Sequence, residues 1–206
     1  MITEQLLQKY PVISDQITPE RLLVVLRSFE QALKQNIEGD IVEFGCYVGT
    51  TSLFLRRMLD MYQQSERREL HVYDSFAGLP DKSAEDNSIA GDQFKAGELT
   101  VSKKQLLLEF HKAQLQSPVV HKAWFSELSP ADVPKQIAFA FLDGDFYESI
   151  LDSLKLIWPA LSLHATVTVD DFGREALPGA ERAVREFLKD KQADLHAEHN
   201  IAIIKL

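Results

Sequence analysis

The chain has 206 residues, enough for one domain with a full core. Its 22 Lys+Arg against 31 Asp+Glu give a net charge of −9. No cationic stripe extends beyond Arg67-Arg68 and Lys103-Lys104, which argues against a nucleic-acid partner. The one cysteine, Cys46, excludes an internal disulfide and fits a reducing, cytoplasmic setting. The first residues do not read as a signal peptide, and no apolar run nears the roughly 20 residues that span a bilayer.

Residues 1–17 read as an N-terminal arm ahead of a single domain over 18–206. Thr18-Pro19-Glu20 is a helix start, with a capping hydroxyl, proline in the first turn and then an acid. Leu22, Leu26, Phe29 and Leu33 follow at helical spacing. Residues 41–46 read as a first strand, 50–64 as a helix and 69–76 as a second strand. Residues 77–100, with Gly78, Pro80, Gly91 and Gly97, show little periodicity and read as a mobile lid or binding loop. Ser102 with Gln105 is a capping-box pattern opening a helix to about residue 116. Strands are expected at 118–125, 137–143 and 165–172, and helices at 147–158 and 178–191. Residues 195–198 and 201–205 are separated only by His199-Asn200, which implies an antiparallel hairpin.

Strands alternating with helices predict an α/β, Rossmann-like fold with a parallel sheet covered on both faces. The terminal hairpin adds one antiparallel strand, giving seven strands in the class I methyltransferase arrangement. Ligands in such sheets bind at the carboxyl ends of the strands.

Chemistry-bearing residues collect at those ends. Glu43-Phe44-Gly45-Cys46-Tyr47-Val48-Gly49 follows the first strand. Its glycines are four apart around a bulky tyrosine, unlike the G-x-G-x-x-G of NAD sites. The turn suits the smaller methionine tail of S-adenosylmethionine; the plain alternative is a tight strand-to-helix turn. Asp74 closes the second strand, where an acid can hold both ribose hydroxyls, or else simply starts a loop. Trp124 and Phe125 follow the third strand and either stack on adenine or fill the core. Asp143 and Asp145 close the fourth strand, and Asp170-Asp171 the fifth. Asp145 is also read as a helix cap. Adjacent carboxylates repel unless a cation or proton intervenes, and hard oxygen donors suit Mg²⁺. The six histidines are scattered and read as structural or solvated. No Gly-x-Ser-x-Gly elbow appears, which argues against a hydrolase.

In this order, Glu43–Gly49, Asp74-Ser75-Phe76-Ala77-Gly78-Leu79-Pro80, Trp124-Phe125, Leu142-Asp143-Gly144-Asp145-Phe146-Tyr147-Glu148-Ser149 and Val169-Asp170-Asp171-Phe172-Gly173 resemble the macrocin O-methyltransferase family. The resemblance covers roughly residues 39–190. It implies S-adenosylmethionine as methyl donor, Mg²⁺, and a hydroxyl acceptor on a sugar of a natural product or other small molecule. The implied donor site takes Glu43, Gly45, Tyr47 and Gly49 with Thr50 and Thr51 from the first turn. It adds Asp74 and Ser75, Trp124 and Phe125, and Asp143. Asp143, Asp170 and Asp171 would hold the metal, and Asp143 would be the catalytic base. A homo-oligomer is left open. The chain looks short at its N-terminus, and Leu161-Ser162-Leu163-His164-Ala165 stands where the family has a Pro-Gly-Gly-like turn. Rival readings are an aminopropyltransferase-like enzyme of similar fold and a non-catalytic binding protein.

Overall fold

The structure, a computed structural model, describes residues 1–90 and 94–206. Two helices, α1 (Ile2–Lys9) and α2 (Pro19–Lys34), precede β1 (Asp40–Phe44), α3 (Thr50–Met61) and β2 (Leu70–Asp74). A long loop leads to α4 (Lys103–Lys112), β3 (Val119–Lys122), β4 (Ile137–Leu142), α5 (Tyr147–Ile157) and β5 (Leu161–Val169). Helix α6 (Pro178–Leu188) and a hairpin of β6 (Asp194–Glu198) and β7 (Ile201–Lys205) follow. The sheet order is β3-β2-β1-β4-β5-β7-β6. Strand β7 is antiparallel to β5 and β6, and the other pairings are parallel. This is the expected seven-stranded sheet with one antiparallel strand. The hairpin turn has positive φ at both His199 and Asn200, 48° and 62°, as a type I′ turn requires.

Topology and register together place the site. The chain runs outward from β1 through β2 to β3, then returns to β4 on the other side of β1. The crevice between β1 and β4 is therefore the switch point. Phe44 lies opposite Tyr73 and Leu142, and Leu142 lies opposite Val169. The residues that follow, Gly45, Asp74, Asp143 and Asp170, thus leave the sheet along one edge. Both faces behind that edge are packed. Phe29, Phe54, Met58 and Phe141 fill the side of α2 and α3, while Phe44, Leu142, Leu154 and Val184 fill the side of α5 and α6. Every residue of β4 is buried, the pattern of a central parallel strand.

Several boundaries differ from the sequence expectation. Strand β5 starts at Leu161, because the presumed turn at 161–165 is a bulge: Ile137 pairs with Leu161 but Phe139 with Thr166, and His164 has φ 66°. Strands β2 and β3 end together, with Asp74 opposite Lys122. Helices α3 and α4 stop at Met61 and Lys112, short of the periodic pattern. Residues 2–9 form a helix whose first amides are capped from elsewhere. Glu30 on α2 accepts from Ile2 N–H at 3.2 Å, Thr3 N–H at 3.3 Å and Thr3 Oγ1 at 2.6 Å. A carboxylate at a helix N-terminus stabilises it by satisfying its free donors.

Candidate active site

The turn after β1 depends on two glycines. Gly45 has φ 82°, and a Cβ there would lie 1.8 Å from the Asp143 carbonyl oxygen. No other residue fits between β1 and β4 at that point. Gly49 has φ 89° and precedes α3, where a Cβ would meet Leu106 at 2.5 Å. Its requirement comes from turn geometry and packing. Between them Tyr47 is held at φ 45°, an unfavourable region for a bulky residue. Asp74 stabilises this shape. Its Oδ2 accepts from Cys46 N–H at 3.0 Å and Tyr47 N–H at 3.2 Å, and its Oδ1 from Phe76 N–H at 2.7 Å. Asp74 therefore braces the turn, a job its sequence context did not reveal. Ser75 beside it donates to the Gly78 carbonyl at 3.2 Å.

A cleft open to solvent lies over the β1–β4 crevice. It is lined by Gly45, Tyr47, Asp74, Ser75, Trp124, Phe125 and Asp143 among the anticipated residues, and by Asp171. Phe125 packs edge-on against Phe44, with centroids 5.2 Å apart. Trp124 is only partly buried and keeps accessible surface on the cleft wall. Glu43, Thr50 and Thr51 line an adjoining recess with Ser14, Gln16 and Ile17. Glu43 is fully buried and accepts from the Ser52 hydroxyl. Burial, with the Asp74 charge adding to it, pushes its pKa up to about 8, so it is largely protonated at neutral pH.

The acids form the cleft floor. The backbone N–H of Asp143 donates to the Phe44 carbonyl at 2.8 Å, and that of Asp170 to the Leu142 carbonyl at 2.9 Å, which continues the sheet ladder into the cluster. Carboxylate oxygens of Asp143, Asp145 and Asp171 lie within 4.8 Å of one another. Asp145 and Asp171 have φ of 57° and 58°, and such strain clusters at functional sites. Asp170 is buried and tied to Arg21 of α2, whose Nε donates to its Oδ1 at 2.8 Å. Arg21 Nη2 donates to Asp171 Oδ1 at 2.9 Å, and Arg174 Nη1 reaches the same oxygen at 2.8 Å. Burial, then the neighbouring carboxylates, raise the pKa of Asp143 and Asp145 well above the ordinary range. Burial and Asp171 lift Asp170 to about 7, against the pull of Arg21.

Three of the four carboxylates thus meet as the sequence anticipated for Asp143 and Asp171, with Asp145 beside them and Asp170 held by Arg21. Asp145 does not cap α5. Asp86, from the loop after β2, accepts from Tyr147 N–H at 2.7 Å and does that job. Arg21 carried no local signal, because its partners lie 149 and 150 residues away; Arg174, three residues after Asp171, and Asp86, three after Ser83, had short-range spacings that went unread. Four carboxylates face two guanidinium groups, and Asp170 Oδ2 is buried with no hydrogen-bond partner. Uncompensated negative charge and an orphaned hard oxygen fit a divalent cation of the Mg²⁺ type.

The loop after β2 covers the cleft. Leu79 N–H donates to the Glu98 carbonyl and Gly97 N–H to the Leu79 carbonyl, both at 2.9 Å. Leu79, Phe146 and Leu177 form a small apolar cluster with Phe94 and Leu99. Gly91, singled out in the sequence, lies outside the described residues.

A Rossmann-like sheet with its glycine turn, strand-end acid and floor of carboxylates defines a class I methyltransferase fold. The chain matches the macrocin-O-methyltransferase (TylF) family over residues 8–201, and it belongs to that family. It is 32% identical over 152 residues to the 8-demethyl-8-(2,3-dimethoxy-alpha-L-rhamnosyl)-tetracenomycin-C 4'-O-methyltransferase of Streptomyces olivaceus, covering 71% of this chain and 58% of that one. It is 30% identical over 175 residues to the demethyldecarbamoylnovobiocin O-methyltransferase of Streptomyces niveus, covering 82% and 65%. The chain therefore spans less than two thirds of the length of these curated relatives. The solved structure of the O-methyltransferase NovP superposes with a TM-score of 0.79 at 27% identity, over 92% of this chain and 80% of that chain. The calicheamicin methyltransferase CalS11 gives 0.76 at 22% identity, over 99% and 90%, a likeness of fold.

Proposed function

We propose that the protein is a Mg²⁺-dependent O-methyltransferase that moves a methyl group from S-adenosylmethionine to a hydroxyl on a sugar of a natural product or similar small molecule. The observation that carries the reading is the under-compensated floor of Asp143, Asp145, Asp170 and Asp171 beside the glycine turn, in a family of O-methyltransferases. Bound S-adenosylmethionine supplies an activated methyl group, and bound Mg²⁺ supplies the Lewis acidity that lowers the pKa of a sugar hydroxyl.

The chain's own residues do the rest. The Gly45–Gly49 turn and Asp74 form the donor wall, with Asp74 facing the ribose and Trp124 offering its ring to adenine. Asp143, Asp145 and Asp171 hold the cation, with the free Oδ2 of Asp170 as a further donor. Asp143 takes the hydroxyl proton on a carboxylate oxygen. Asp145 is the second carboxylate placed to do so. Leu79, Phe94 and Leu99 of the covering loop keep water from the reacting atoms. The two guanidinium groups among the acids disfavour the polyamine of an aminopropyltransferase. No described helix is long and apolar enough to cross a membrane.

The test is S-adenosylhomocysteine release over a panel of sugars and glycosylated metabolites, with Mg²⁺ or with EDTA. Methyl transfer that stops in chelator and returns with Mg²⁺ is the expected result. Full turnover in EDTA sinks the metal role. Absence of S-adenosylhomocysteine binding by calorimetry sinks the enzyme itself in favour of a non-catalytic protein.

A further inference from the structure

We infer that Arg21 is a positioning residue that presents Asp170 and Asp171 to the cation, a conclusion that rests on the Mg²⁺ reading above. The guanidinium takes Oδ1 of Asp170 through Nε at 2.8 Å and Oδ1 of Asp171 through Nη2 at 2.9 Å. One planar fork thus holds one oxygen from each of two adjacent carboxylates. Asp170 Oδ2 is left buried and without a partner, and Asp171 reaches the group formed with Asp143 and Asp145. Fixing one oxygen of a carboxylate while leaving the other for the metal is how outer groups orient ligands. The third arm of the fork, Nη1, donates to the Gln16 carbonyl at 3.2 Å. Gln16 lines the cleft, so the same side chain ties the segment ahead of α2 to the acid floor. Arg21 is itself buried, and the Thr18 cap that starts α2 accepts from its backbone N–H at 3.3 Å, which fixes where the side chain begins.

The discriminating variant is Arg21→Lys, which keeps the positive charge and loses the two-pronged geometry. Mn²⁺ affinity of the full chain is read by electron paramagnetic resonance, and S-adenosylhomocysteine affinity by calorimetry. Arg21→Lys should bind Mn²⁺ about tenfold or more weakly, within the range for loss of an orienting group, with unchanged S-adenosylhomocysteine affinity. Equal Mn²⁺ affinity in both proteins overturns the inference and leaves the metal reading intact. Parallel loss of both affinities assigns Arg21 a merely structural role and also overturns it. Wild-type protein that binds no Mn²⁺ defeats the metal reading first and this inference with it. Should the variant fail to fold, the wild-type Arg21 Nε–H resonance supplies the answer. It should stay protected from solvent exchange when Mg²⁺ is added, and release on Mg²⁺ binding contradicts the fork's role.

Discussion

At the scale of single residues, Asp74 and Asp145 show what a sequence reveals and conceals. Asp74 was legible because it ends a strand next to a glycine turn, and the structure lines the cleft with it. Its second job, bracing that turn through the amides of Cys46 and Tyr47, depends on a pairing across 27 and 28 residues. Asp74→Ala should therefore weaken S-adenosylhomocysteine binding by about 1–3 kcal/mol, from lost ligand contacts and a loosened turn. Unchanged affinity in calorimetry would remove Asp74 from the donor site. Asp145 was visible as an acid but read equally well as a cap, since Asp before a helix usually is one. Only the distant Asp86 decides the matter, by taking the amide that Asp145 would have capped. Turnover is the measurement that separates the two candidate bases, Asp143 and Asp145. Asp143→Asn should lose turnover by about 10²–10⁴-fold as both ligand and base. If Asp145→Asn suffers the larger loss at saturating Mg²⁺, the proton goes to Asp145 instead.

Elements set by local signals were read well, and those set by remote partners were not. The Thr18 cap of α2 and the Ser102–Gln105 box of α4 lie where their short-range patterns put them. Helix α1 escaped notice because its cap, Glu30, stands on another helix. The loop after β2 was read as a loop, but the helical turn within it was not, although Ser83 and Asp86 form a capping box three residues apart. Its single helical turn, Ala84–Asp86, is anchored by Asp86, which accepts from Ser83 N–H at 2.9 Å and Tyr147 N–H at 2.7 Å. Ser88 Oγ adds a bond to the Glu175 carbonyl at 2.5 Å. An unpaired Tyr147 amide and a freed loop follow from Asp86→Ala, at a cost of about 1–3 kcal/mol. Hydrogen exchange over 83–90 should accelerate in that variant, and the Michaelis constant for the donor should rise. Exchange equal to wild type would mean that the apolar cluster of Leu79, Phe146 and Leu177 holds the loop without help.

At the scale of the whole molecule, an aromatic stack crosses the sheet from β1 to a histidine pair on β2 and β3. Phe44, Tyr73 and His121 stack across β1, β2 and β3, with centroid separations of 4.3 Å in both steps. His71 Nδ1 and His121 Nε2 are 3.1 Å apart, so one proton fits between the rings and a second would set two cations in contact. Burial depresses both pKa values from the ordinary 6.5; His71 is partly compensated by Asp40 and Glu69, and His121 is lowered further by His71. A group depressed in the folded state costs stability as pH falls through its unfolded value, because the unfolded chain then binds the proton first. The raised carboxylates of the cleft act in the opposite sense, since their folded forms keep protons that the unfolded chain releases. The net melting profile mixes the two, so the informative quantity is a difference. His121→Phe keeps an aromatic ring on Tyr73 and removes the shared proton. Between about pH 7 and pH 5, below the ordinary histidine value, wild type should lose melting temperature relative to this variant. Melting curves that run parallel across that window would show that the pair titrates alike in the folded and unfolded chain, and the stack would then be packing alone.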